Sequence, residues 1–371
     1  MNSVVKNDRR RSIDQKSRTI SCSVSAVRRP VNVRIPYCLL LVCIVVSIFG
    51  CRRSVQKTTD WPSAVSVADF VPEATQIVRQ GLDDEDPRIR VHAIEVVATT
   101  KQIKLMPRVQ RLLKDQFVRV RFAAALAVGD LEYHLAEREL AELLNTDNDN
   151  VRIAAAYAMG KLGSADSFEV LRKALTGSDQ TVRANAALLL GKSGDKRALM
   201  FLYIAMRQED SDDKVRFQAA ESIAMLGDDR IMPKLWATVF SAYADVRVVG
   251  VRAMGALGTE KAREVLITKL DDDVLEVRLA AAEQLGMLGE TAAEPVVLDV
   301  FRRNLTARMR GEELERIRVL TALAIGRIGT PYLARYLPRM LKDESKSVRI
   351  AAAKAVFQCA MKSRPVEKSG I

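Results

Sequence analysis

Two histidines and five cysteines are all that 371 residues offer of the side chains most used for metal binding and nucleophilic catalysis. Four of the cysteines, Cys22, Cys38, Cys43 and Cys51, fall at the N-terminal end. Cys359 stands alone in the body, which excludes a disulfide within it. His92 and His134 occupy unrelated places, so neither a Ser/His/Asp nor a Cys/His constellation can be assembled, and no metal or other cofactor is expected. The triplet Gly191-Lys192-Ser193 ends like a phosphate-binding loop, but Ala186 stands where that loop needs glycine and no strand precedes it. Excess charge is also scarce outside the N-terminus. The net charge is +12, but residues 1–50 carry nine Lys/Arg against Asp8 and Asp14, which leaves +5 for the rest. A nucleic-acid-binding solenoid is therefore disfavoured.

What is present at the N-terminus is a basic stretch followed by "IPYCLLLVCIVVSIFGC", uncharged until Arg52 and Arg53. That order predicts an export signal over 1–50, with a single-pass signal anchor as the alternative. Ile48-Phe49-Gly50-Cys51 resembles the lipobox of bacterial lipoproteins, which implies cleavage before Cys51 and acylation of that cysteine. The resemblance places the body in the bacterial cell envelope, membrane-anchored and facing the periplasm or cell exterior. Residues 51–70 then form a tether.

What is present in the body is one phrase repeated. "VRIAAAYAMGKLG" at 151 is nearly restated as "VRANAALLLGKSG" at 182. Alignment on the Val/Ile-Arg pair places arginines at Arg90, Arg121, Arg152, Arg183, Arg216, Arg247, Arg278, Arg318 and Arg349, and six of the eight intervals are 31 residues. Each arginine is preceded by Val or Ile. A small residue follows at +3 and an apolar one at +7, which is one face of a helix. Glycine at +11, as at Gly163, Gly194 and Gly258, predicts the helix end. A leucine or valine eight before most of the arginines marks a shorter preceding helix. One such hairpin cannot bury its own apolar face, so the copies must stack. The fold class is all-α, a gently curved α-solenoid of about nine hairpins over 71–362, followed by a tail at 363–371.

The phrase "D…VRxxAAxxLGxLG" at this period resembles the HEAT-like repeats of the phycobilisome-lyase type, over roughly residues 72–360. The resemblance implies an inter-repeat ladder between the nine arginines and an acid six residues before each one. That acid is present as Asp84, Asp115, Asp210, Asp272, Glu312 and Asp343. Phycobilin lyases share the repeat type, so a lyase-like or other HEAT-like enzyme is the alternative function. Deoxyhypusine hydroxylase, another HEAT-like enzyme, holds iron with His-Glu pairs, which this chain lacks.

With −1, +3 and +7 buried, positions +2, +5 and +9 of each second helix form the concave surface. There Leu126, Tyr157 and Leu188 follow one another, with Lys161 and Lys192 beside them. This strip is the candidate site for a protein or peptide partner. The expansion at 290–316 is a second candidate surface. The expected function is a membrane-anchored, non-enzymatic scaffold that mediates protein–protein interaction.

Overall fold

The structure, a computed structural model, describes residues 66–164 and 167–362. The signal segment with Cys51, most of the tether, and the tail at 363–371 lie outside the described residues. Every element among the described residues is helical, and none of these helices is long and apolar enough to cross a membrane. The first described residues precede position 71. There Ser66 and Asp69 cap a short helical turn, Val67–Phe70, that packs on the last helix of the chain.

Nine inner helices carry the repeated phrase. They are inner helix 1 (Pro87–Thr99), 2 (Val118–Asp130), 3 (Asp149–Lys161), 4 (Gln180–Ser193), 5 (Asp213–Met225), 6 (Ala244–Leu257), 7 (Leu275–Met287), 8 (Gly311–Ile328) and 9 (Lys346–Lys362). Shorter outer helices precede them, from outer helix 1 (Val71–Leu82) to two single turns (Pro331–Ala334 and Leu337–Met340) before inner helix 9. The +3 residue is small because an outer helix crosses there. A Cβ on Gly250 would lie 2.7 Å from the backbone nitrogen of Val239. All nine +3 residues are buried.

Side chains at the loop before each inner helix set its start, as where Asp86, Asn148, Asp179 and Asp212 accept backbone N–H groups of the first turn. At the +11 stop, Gly194 and Gly258 take the left-handed conformation that ends the helix. Repeats 1 and 2 have Lys101 and Glu132 at that place, forced to φ 52° and 48°. A side chain there costs about 1–2 kcal/mol. Glu132→Gly is therefore expected to raise the unfolding free energy by about 1 kcal/mol, read as a higher urea midpoint at constant m.

The arginine chemistry is less uniform than a nine-rung ladder. Most of the arginines reach back to carbonyls of their own loop, as Arg121 does to Asp115 and Gln116 and Arg349 to Asp343 and Glu344. A rung to the next repeat forms only where that repeat carries an aspartate at −6. The pairs are Arg90–Asp115 (2.9 Å), Arg183–Asp210 (3.0 Å), Arg247–Asp272 (2.8 Å) and Arg318–Asp343 (3.0 Å). Arg121, Arg152 and Arg216 face repeats with Thr146, Gly177 and Ser241 there, so the next repeat offers no carboxylate at that place, and Arg152 pairs instead with Asp149 of its own helix. Arg278 faces Glu312 across the expansion, and it bonds Asp272 and Asp273 carbonyls instead.

The α-solenoid of nine hairpins closes on itself, its first and last repeats in contact. Inner helix 9 packs against inner helix 8 on one side and against outer helix 1 and inner helix 1 on the other. Ile350 enters the notch left by Gly81, where an added Cβ would lie 2.9 Å from Ile350 Cδ1. Asp84, the −6 acid of the first repeat, takes Lys346 of the last at 2.8 Å. The physical cause is legible in inner helix 9 itself. Ile350, Ala352, Ala353, Val356, Phe357 and Cys359 are buried on all its sides, so it must be covered by neighbours on both flanks.

Candidate functional site

Closure turns the concave surface into a lumen. Nine helices spaced about 9 Å apart put their axes on a circle of radius about 13 Å. Subtracting about 5–6 Å for each helix with its side chains leaves an opening of radius about 7–8 Å. Its wall is made of the −2, +2, +5 and +9 positions. The nine inner helices run in the same sense, so −2 residues stand at one mouth and +9 residues at the other.

The wall has two unlike sectors. Repeats 5 to 9 and 1 present charges at +5: Glu221, Arg252, Glu283, Lys354 and Glu95, broken only by Leu323. These charges alternate in sign. Burial pushes the Glu221 carboxyl above its usual range against the pull of Arg252. Burial likewise lowers Lys354, while Glu283 and Glu95 act the other way. Repeats 2 to 4 carry no charge at +5, and there a cavity of about 680 Å³ opens. Val91, Phe122, Leu126, Leu188 and Met225 make it apolar.

The candidate strip is split by this geometry. Leu126, Leu188 and Lys192 line the cavity together. Tyr157 does not line it. It is 2 % exposed, and its hydroxyl donates to Asp130 at 2.8 Å. Its ring lies over Gly129, where a Cβ would meet it at 3.1 Å, so the missing side chain draws the ring into the helix interface and out of the lumen. Burial, with Asp130 beside it, raises the phenol above its ordinary range. Asp130 also pairs with Lys192 at 3.0 Å. Lys161 borders a separate small cleft with Tyr157 and Phe168. As a contiguous partner surface the five residues are therefore not available.

HEAT repeats match residues 75–150, 105–186, 137–224, 168–241 and 232–315, in overlapping segments that span well over half of the chain. The chain belongs to the HEAT-repeat family. Among solved structures it is similar to the complex of CpcE and CpcF of phycocyanin lyase from Nostoc sp. PCC7120, at 19% identity, covering 68% of this chain and 94% of that one, with a TM-score of 0.39. It is also similar to human deoxyhypusine hydroxylase in complex with glycerol (18% identity, 71% and 99% covered, TM-score 0.36) and to importin beta (13%, 78% and 47%, 0.33). No protein of curated function matches it.

The HEAT-repeat ring has a second surface that the inner-helix registers did not point to. Eleven residues before the arginine, the outer helices of repeats 1, 2 and 4 carry Arg79, Gln110 and Arg172. Repeats 6 and 7 carry Trp236 and Ile267 there, and both are exposed, Trp236 by 53 %. Phe240 and Tyr243 extend this patch, exposed as well. Trp236 and Phe240 lie ring to ring at 5.0 Å, and the Lys269 ammonium stands 4.2 Å from the Phe240 ring centre. Lys269 is itself held by Asp272 at 3.3 Å, so the aromatic pair is fixed in place before anything touches it. The large apolar Trp236 and Ile267, at a register that holds Arg, Gln, Ala or Pro in the other repeats, are the sequence signal for this patch. At the expansion over 290–316 Phe301 stacks on Tyr336 at 3.9 Å, and a cavity of about 570 Å³ opens beside the pair.

Proposed function

We propose that the chain is a non-enzymatic, lipid-anchored HEAT-repeat scaffold of the bacterial envelope that docks a protein partner on its outer aromatic patch. The observation that carries this reading is the pair Trp236–Phe240, both exposed and lying ring to ring at the outer helix of repeat 6. Aromatic anchors of this kind dominate interface energies, and an apolar patch in water is unfavourable until covered. The anchor rests on the lipobox resemblance at Cys51. Fourteen residues separate Cys51 from Ser66. Fully extended, a segment of that length spans at most about 50 Å.

Affinity capture from detergent-solubilised membranes tests the proposal. The wild-type chain is expected to retain a partner that Trp236→Ala/Phe240→Ala loses, with the affinity falling about 30-fold or more. Both side chains are exposed, so the thermal melt should hardly move. In the same preparation Cys51→Ser is expected to shift the chain away from the acylated membrane fraction. Equal retention by the double variant would remove the patch from the account, and unchanged fractionation of Cys51→Ser would remove the lipid.

A further inference from the structure

We infer that the lumen cavity binds a single-chain amphipathic anion, an aliphatic carboxylate whose head pairs with Arg119. The charges on the cavity wall are the first ground. Four charged side chains line it: Glu95, Arg119, Asp130 and Lys192. Asp130 is matched by Lys192 at 3.0 Å. Glu95 acts on Lys354 across the seam. Arg119 is exposed at the cavity mouth and has no ion-pair or hydrogen-bond partner among the described residues, unlike the arginines of the repeat phrase, which are bonded to loop carbonyls or aspartates.

The second ground is where that cation stands. Arg119 is the −2 residue of inner helix 2, at one end of the cavity, and the Asp130–Lys192 pair marks the +9 level at the other. Eleven residues of helix separate these levels, about 16 Å. Between them the wall is Val91, Ile94, Phe122, Leu126 and Leu188, with almost nothing that could satisfy a peptide backbone. On the same wall Asn185 Nδ2 donates to Asn150 Oδ1 at 2.7 Å, so the two amides offer a ligand only their remaining groups, near the Arg119 end of the cavity. An extended peptide would bury unsatisfied N–H and C=O groups there, and an acidic amphipathic helix would need more than one free cation. An aliphatic chain needs neither. One unpaired charge at the end of an apolar slot is the complement of a carboxylate on a hydrocarbon tail, and a cavity of about 680 Å³ is within the size range of small-ligand sites.

Equilibrium binding of radiolabelled laurate to the full chain, held in amphipol, tests this independently of the outer patch. Laurate is expected to bind one per chain. Dodecanol and dodecyltrimethylammonium, which keep the tail and remove or reverse the charge, should bind at least about tenfold more weakly. Arg119→Gln should lose that same factor for laurate and nothing for dodecanol, and Arg119→Lys should recover part of it. Leu126→Trp, an apolar filling of a half-exposed position, should block all three ligands while the melt stays in place. Trp236→Ala should bind laurate as wild type does. The inference is overturned if laurate fails to bind, if Arg119→Gln binds it unchanged, if dodecanol competes equally, or if an acidic amphipathic peptide enters where laurate does not.

Discussion

Ile350→Asp is expected to open the ring and to lower the unfolding free energy by about 3–5 kcal/mol. Ile350 is buried on the seam face of inner helix 9, where its Cδ1 fills the notch over Gly81 on outer helix 1. A carboxylate there meets Ala93 and the apolar flank of the first repeat, with no cation placed to receive it. The lower midpoint in urea should come with a larger radius of gyration in small-angle scattering, because a repeat array that loses one interface remains chained through the other eight. If the ring is open in solution, position 350 faces water. The substitution then costs no more than the few tenths of a kcal/mol usual at a surface, and the radius does not change.

Neighbour-on-neighbour packing explains why so much of the fold could be read from the chain and why closure could not. The period, the β-branched residue before each arginine and the small +3 residue are local demands of one hairpin on the next, so each is written nine times. Closure is written once, in the apolar flanks of outer helix 1 and inner helix 9, and a repeat alignment treats both as ordinary copies. Tyr157 shows the same limit at the scale of a side chain. Its register places it with Leu126 and Leu188, but the glycine that captures it, Gly129, belongs to the preceding helix. The ladder was over-counted for a related reason. The arginine is invariant across the nine copies while its acid is not, and a rung needs both.

The rungs that do form are not equal, and the largest effect among them is expected at Arg183. Its side chain is 1 % exposed, against 37 % for Arg318 at the same place in its repeat. Arg183 donates to Asp210, to Gln208 Oε1 and Ser211 Oγ, and to the Leu175 carbonyl. Arg183→Ala leaves the buried Ser211 Oγ and Leu175 carbonyl without their donor and opens a void beside them, which costs about 2–4 kcal/mol. Arg318→Ala breaks one half-solvated pair, worth no more than about 1 kcal/mol. The partner side should be asymmetric as well. Asp210 is 69 % exposed, so Asp210→Asn leaves Arg183 with its other acceptors and should cost well under half of what Arg183→Ala does. Urea denaturation of the three variants orders them. Equal losses at Arg183 and Arg318 would mean that the rung at the interface of repeats 4 and 5 is as wet as its counterpart, and that the ring is held by apolar packing alone at both places.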